Sequence, residues 1–270
     1  MTRIPALFSP PETLNCGQAF RWQQSPQDSA CWEGVAFGRA LCIREAGGEL
    51  ELSCSQEEFE SLWQSYFDLE ADYPAVRAEL SSLSPVLADA SAYAPGIRIL
   101  RQEPWEALCS FVVSQNNNIR RIQGIVERLC QLFGEPLEGG KRAFPTAERV
   151  AGLSPEELAP LRCGYRAAYV LDAAEMVASG RLDLERVARE PAGFGREELQ
   201  RIRGVGPKVA ECALLYGFHK TECFPMDVWM KRAMKTLLPG LRPEDFGTNA
   251  GLAQQYIFHY SRRHPELFSP

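Results

Sequence analysis

The sequence predicts an α+β protein: a small N-terminal antiparallel β-sheet domain packed on a larger helical domain. Three observations support this. Between Phe20 and Cys54 the apolar residues come in short runs punctuated by Gly34, Gly38, Gly47 and Gly48, as strands joined by tight turns do. From Gln56 onward apolar residues recur at three and four, the helical period. Charge divides along the same line: residues 1–95 hold five Lys and Arg against fourteen Asp and Glu, a net of −9, whereas residues 96–270 carry +3. A β domain with flanking helices is therefore expected over 1–95 and a helical domain over 96–270.

Taken in order, AFRW, CWEGVAFG, RALCIRE and ELELS are the strand candidates, with Trp22 and Trp32 packing on the sheet. Phe59, Leu62, Trp63 and Tyr66 mark a helix, and Val76, Leu80 and Leu83 another, interrupted by Pro85 and Pro95. Pro104 opens a helix that stops at Asn116, Asn117 and Asn118, three amides suited to a turn. Beyond them Ile119, Ile122, Val126, Leu129 and Phe133 form one apolar stripe, with Gly134 as the expected C′ glycine. Residues 135–145 read as a loop. Ser154 and Glu157 form a capping box. A helix restarts at Tyr165 after Gly164, Pro191 to Gly195 is expected to be a loop, and a last helix runs from near Asn249 to Arg262, Arg263 and His264.

At 270 residues the chain can bury a full core. No apolar run approaches the roughly 20 residues that span a bilayer, and the N-terminus lacks a charged-then-apolar leader pattern. Nine cysteines, odd in number and without CxxC pairing, point to reduced thiols and a cytoplasmic setting. Cys163, Cys212 and Cys223 are too widely spaced for a four-cysteine cluster, and no metal site is expected. The net charge of −6 is unusual for a nucleic-acid binder, but its asymmetry makes the later part the nucleic-acid side.

The most informative stretch is residues 199–218, LQRIRGVGPKVAECALLYGF. It predicts a helix, a hinge of Gly204, Val205, Gly206 and Pro207, and a second helix entered at Lys208. Glycine takes up backbone conformations that other residues resist, and proline suits the first turn of a helix. A hinge free of large side chains brings its N–H groups up to a phosphate, helped by the helix dipole. That is a helix-hairpin-helix, which grips the nucleic-acid backbone without reading sequence.

Lys208 sits in that first turn, where the positive helix end disfavours an ammonium and favours a nucleophilic free amine. Asp227, in PMDVW, is a candidate N-cap. Cys212 lies one turn beyond Lys208 on the same face, and Gln254 and Phe258 share a face of the last helix. Together these would make a pocket for a flat heterocycle. Read singly, a surface lysine, a capping aspartate, a buried cysteine and a core phenylalanine are the commoner explanation.

Five segments, CGQAFRW, SFVVSQNNNIRRIQGIVERLCQLFG, CGYRAAYV, RIRGVGPKVAECALL and FPMDVWM, occur in an order that resembles the 8-oxoguanine DNA glycosylase/AP-lyases of the helix-hairpin-helix superfamily. The resemblance runs from about Asn15 to His259. It implies removal of 8-oxoguanine from double-stranded DNA, preferentially opposite cytosine, by a monomer that needs no cofactor. It makes Lys208 the Schiff-base nucleophile and Asp227 the essential carboxylate. Gly17 would accept the N7–H that distinguishes 8-oxoguanine from guanine. Phe258 and Cys212 would sandwich the base and Gln254 would meet its Watson–Crick edge. Asn116, Arg121 and Arg166 would hold the orphaned cytosine, with Tyr165 as the wedge. Two residues depart from the family: Trp229 where many members carry His, and Pro207 where many carry Thr. Two rivals remain: an alkylated-purine glycosylase, which lacks the lysine, and a non-catalytic DNA-binding hairpin, which needs neither Asp227 nor a base-sized pocket.

Overall fold

A computed structural model describes residues 1–268. Strands β1 (Thr2–Pro5), β2 (Trp22–Gln24), β3 (Cys31–Ala36), β4 (Arg39–Ala46) and β5 (Glu49–Leu52) form one antiparallel sheet in the order β1-β5-β4-β3-β2. Hairpins join β2 through β5, as the glycine punctuation predicts. Strand β1 lies outside the glycine-punctuated runs, and its pairing with β5 reveals it. It pairs Thr2 with Leu52 and Ile4 with Leu50 at the sheet edge.

Trp22 lies flat against its partner Gly34, where an added Cβ would fall 2.3 Å from the indole ring. Trp22, Trp32, Ile43, Leu50 and Leu52 pack with Trp63, Tyr66 and Phe67 of the following helical segment, and Trp22 Nε1 donates to the Tyr66 hydroxyl at 2.8 Å. The structure corrects the expectation of uniformly free thiols. Cys31 and Cys42, on adjacent strands with Cα atoms 6.5 Å apart, are joined as a disulfide. A separation of eleven residues gives no sequence signal, since only hairpin register brings the pair together. The remaining seven cysteines are free and buried.

The helical part comprises α1 (Tyr73–Leu83), α2 (Pro85–Tyr93), α3 (Pro104–Ser114), α4 (Ile119–Phe133), α5 (Arg166–Ala178), α6 (Ala192–Leu199), α7 (Pro207–Gly217), α8 (Val228–Leu237) and α9 (Ala250–Arg263), with shorter turns between them. All nine contribute to one apolar cluster, to which α1 and α2 give Leu80 and Leu87. Helices α3 and α7 approach closely at Gly217, where a Cβ would lie 2.9 Å from that of Ala107 and 3.1 Å from Pro104 Cα. Among the described residues no helix is long and apolar enough to cross a membrane.

Two glycine readings are corrected. Gly134 closes α4 with φ −81° and ψ 149°, not in the left-handed region; it is glycine because the Ala143 carbonyl packs against it, 2.0 Å from where a Cβ would be. Residues 191–195 belong largely to α6 rather than to a loop. There Gly195 lets α6 press on Leu214 of α7, whose Cδ2 would meet an added Cβ at 2.5 Å. A packing glycine looks like a loop glycine in sequence.

The sheet and the helices are stitched along residues 96–102. Arg98 donates to the carbonyls of Leu7 and Asp68. Gln18 is fully buried, with its amide donating to Arg98 O and accepting from Leu100 N. Asp68 accepts from Arg101 and Tyr73 and faces His219. Burial works against its charge, but His219 and Arg101 prevail and hold its carboxyl down to about 2. This stitching sets Gly17 beside the helices.

Candidate active site

The hairpin forms as its sequence predicts. Gly204 has φ +78°, and a Cβ there would fall 2.3 Å from the Tyr169 ring, so both conformation and contact require glycine. Val205 is buried beneath the turn. Gly206 is the N-cap of α7 in extended conformation (φ −97°, ψ 179°), with open space where a Cβ would point. Its lack of a side chain keeps the helix end clear rather than permitting the turn. Pro207 occupies the first turn, and Lys208 follows it, half-buried, with Nζ 5.6 Å from the centroid of Phe111.

Asp227 is the N-cap of α8, its side chain accepting from Met230 N at 2.7 Å. Pro225 and Met226 precede it as non-helical chain. Lys208 and Asp227 together line two adjoining spaces. One is an open cleft of about 500 Å³ that also includes Asn116, Gly206 and Val228. The other is a cavity of about 50 Å³ behind it, walled by Gly17, Cys212, Gln254 and Phe258. All six residues singled out for the nucleophile, the carboxylate and the base pocket thus meet at one place. The cavity has room for about one or two waters. The half-buried Phe258 also lines a second space.

Gly17 has φ +92°, and a Cβ there would touch Ile119 at 3.2 Å and Phe258 at 3.8 Å. Burial pushes the Cys212 thiol up, against the pull of neighbouring Lys208, so it faces the cavity as a neutral group. Four further wall residues were not singled out in the sequence: Phe111, Tyr216, Pro225 and Gln255. Tyr216 lies four residues beyond Cys212, so the spacing rule that linked Lys208 to Cys212 also reaches it. Its hydroxyl donates to Gln255 Oε1 at 2.6 Å and, more weakly, to Gln254 Oε1 at 3.3 Å. Gln255 Nε2 in turn donates to Cys16 O at 3.1 Å, which fixes both that amide and the chain leading into Gly17.

The remaining candidates lie on the surface around the cleft. Asn116 has φ +46° and donates to the Tyr165 hydroxyl at 3.3 Å. Tyr165 stands 51% exposed at the head of α5. Arg121, near the start of α4, is exposed and makes one weak contact, to Arg162 O at 3.3 Å. Arg166 differs: it is buried, its donors taken by the carbonyls of Gln115, Asn116 and Cys163, and its guanidinium carbon lies 4.5 Å from the Tyr165 ring centroid. It braces the tri-asparagine turn from behind. Trp229 packs on Phe268 and donates to Ser261 Oγ at 2.8 Å.

Comparison with known proteins identifies the family. Residues 3–108 match the family described as 8-oxoguanine DNA glycosylase, N-terminal domain, and residues 109–242 match the HhH-GPD superfamily base excision DNA repair protein. A probable N-glycosylase/DNA lyase of Methanothermobacter thermautotrophicus is 31% identical over 241 residues, covering 77% of this chain and 75% of that protein. The chain belongs to the 8-oxoguanine DNA glycosylase family. Two solved structures of the family superpose over nearly the whole chain. One is MBOgg1 in complex with a low-affinity DNA ligand (TM-score 0.91, 38% identity, covering 97% of this chain and 95% of that one). The other is the Clostridium acetobutylicum 8-oxoguanine glycosylase/lyase with double-stranded DNA carrying cytosine opposite 8-oxoG (TM-score 0.90, 34% identity, 96% and 93%).

Proposed function

We propose that this protein is a bifunctional DNA glycosylase/AP-lyase that removes 8-oxoguanine, preferentially opposite cytosine, by lysine Schiff-base chemistry. The observation that carries the chemical part is the placement of Lys208. It stands in the first turn of the second hairpin helix and shares with Asp227 both the open cleft and the base cavity behind it. Backbone gripped at the hairpin is thereby held next to an amine and a carboxylate.

The target base leaves the stack, as excision from duplex DNA requires, and enters between Phe258 and Cys212. Lys208 Nζ bonds to the sugar C1′ as the glycosidic bond breaks and the base departs with the electron pair. Asp227 stabilises the positive charge that develops on the sugar, an electrostatic role for a fixed carboxylate. Opening of the sugar and loss of a proton from nitrogen leave an imine. Removal of a C2′ proton then expels the 3′ phosphate by β-elimination. The Gly17 carbonyl selects 8-oxoguanine because guanine would set a lone pair against it, an unpaired buried contact costing roughly 1–3 kcal/mol. Asn116 and Arg121 meet the orphaned cytosine, Arg166 supports their turn, and Tyr165 fills the gap left by the extruded base.

Borohydride trapping on a duplex with 8-oxoguanine opposite cytosine tests this reading. A covalent protein–DNA adduct is expected. Base release with no adduct at any borohydride concentration would replace the imine by direct attack of water.

A further inference from the structure

Beside the base cavity lies a second space, of about 390 Å³, that none of these roles uses. Its walls come from three separate parts of the chain: Asn15 and Cys16 leading into Gly17, Ile119, Arg120 and Gln123 at the start of α4, and Phe258, His259, Arg262 and Arg263 at the end of α9. Three exposed arginines, Arg120, Arg262 and Arg263, converge there with the half-buried His259. Most other arginines near the site are committed: Arg128 to Leu161 O, Arg166 to three carbonyls, Arg21 to Glu106. Among the described residues, Arg120, Arg262 and Arg263 have no carboxylate within 4.0 Å. The nearby Glu266 is paired with His264 at 2.9 Å. Burial first, and then the charges of Arg263 and Arg262, push His259 below its usual value.

Phe258 belongs to this space and to the base cavity at once, and the Arg262 guanidinium carbon stands 5.2 Å from its ring centroid. We infer that this basic cleft is a phosphate-binding subsite that takes a backbone phosphodiester of the DNA whose base enters beside Phe258. The inference rests on the DNA-glycosylase reading above. A backbone phosphate is favoured over a free anion because the cleft adjoins the base cavity through one shared side chain. Whatever fills it then lies within reach of the molecule whose base is in the pocket. Arginine suits the task through its forked, permanently charged donors.

The test measures affinity for a duplex carrying a non-cleavable abasic analogue opposite cytosine as salt is varied. Each phosphate contact adds about 0.9 to the slope of log K against log salt. The double variant Arg120→Gln/Arg263→Gln is therefore expected to lower the slope by about 0.9, while Arg120→Lys/Arg263→Lys leaves it close to that of the unmodified protein. Both positions are exposed, and thermal melting confirms that each variant is folded. An unchanged slope in the folded Gln variant overturns the inference, while tight, salt-dependent binding by the unmodified protein still upholds the DNA-binding reading. Absence of specific duplex binding by the unmodified protein overturns both. A melting-temperature rise in inorganic phosphate that the Gln variant loses, with the DNA slope unchanged, identifies a free-anion site and also overturns the backbone assignment.

Discussion

The proposed base cavity and the surface proposed to face the opposite strand are built on different principles, although only a few residues separate them. The cavity is walled by buried or half-buried side chains from α3, α7, α9 and the Gly17 segment, and its polar groups are locked by the chain from Tyr216 through Gln255 to Cys16 O. The proposed opposite-base surface is a left-handed asparagine, an exposed tyrosine and an exposed arginine. The first region is closely packed and hydrogen-bonded and therefore exacting about what reacts in it. The second is free to adapt and therefore sets preference rather than chemistry. Changes in the cavity should abolish steps, and changes on the surface should shift ratios.

The largest expected effect is at the nucleophile. Lys208→Gln keeps most of the side-chain volume but removes the amine, so borohydride trapping and strand nicking should vanish while duplex binding persists. Full trapping by this variant would show that another amine reacts. Asp227→Asn comes next. Asparagine is also a good N-cap, so the start of α8 should survive and melting should shift little, whereas single-turnover excision should fall by orders of magnitude. Normal excision by a destabilised Asp227→Asn protein would reduce the residue to a structural cap.

On the surface, Arg121→Ala should narrow the preference for cytosine over adenine opposite the lesion. Cytosine offers acceptors to a guanidinium, whereas adenine sets an amino donor against it. A charge-assisted hydrogen bond is worth about 1.5–3 kcal/mol, so the drop opposite cytosine should be roughly ten- to a hundredfold in kcat/KM. Equal single-turnover rates opposite all four bases in the unmodified protein would break the comparison at this point.

A last effect, on stability rather than activity, lies outside both regions, in the stitching that sets Gly17 against the helices. The Asp68 carboxyl lies at about 2, below its ordinary 3.8. A depressed acid stabilises the fold above its unfolded value and loses that contribution as pH falls toward the folded one. Asp68→Asn should therefore cost about 2 kcal/mol at pH 6. In urea titrations the gap from the unmodified protein should shrink as pH falls from 5 toward 3. A gap independent of pH would mean that the loss comes from packing rather than charge.

Much of this site was legible in the sequence because its devices are local. Pro207 in the first turn of α7, Asp227 as the N-cap of α8, the capping box at Ser154 and Glu157, and the face shared by Lys208 and Cys212 all follow from spacings of a few residues. The order of the five family segments supplied the candidate site, and the antiparallel sheet followed from its glycine-punctuated runs. What only tertiary structure decided depends on approach between distant segments. Strand β1, the Cys31–Cys42 bond, the packing reasons for Gly134 and Gly195, and the entry of Gln255 into the cavity wall all arise that way. So does the difference between Arg121 and Arg166, alike in sequence as basic residues near helix starts, of which one is exposed and the other is spent on the carbonyls of a neighbouring turn. Local periodicity fixes which face of a helix a residue occupies, but what that face meets is set by long-range packing, which leaves no period in the chain.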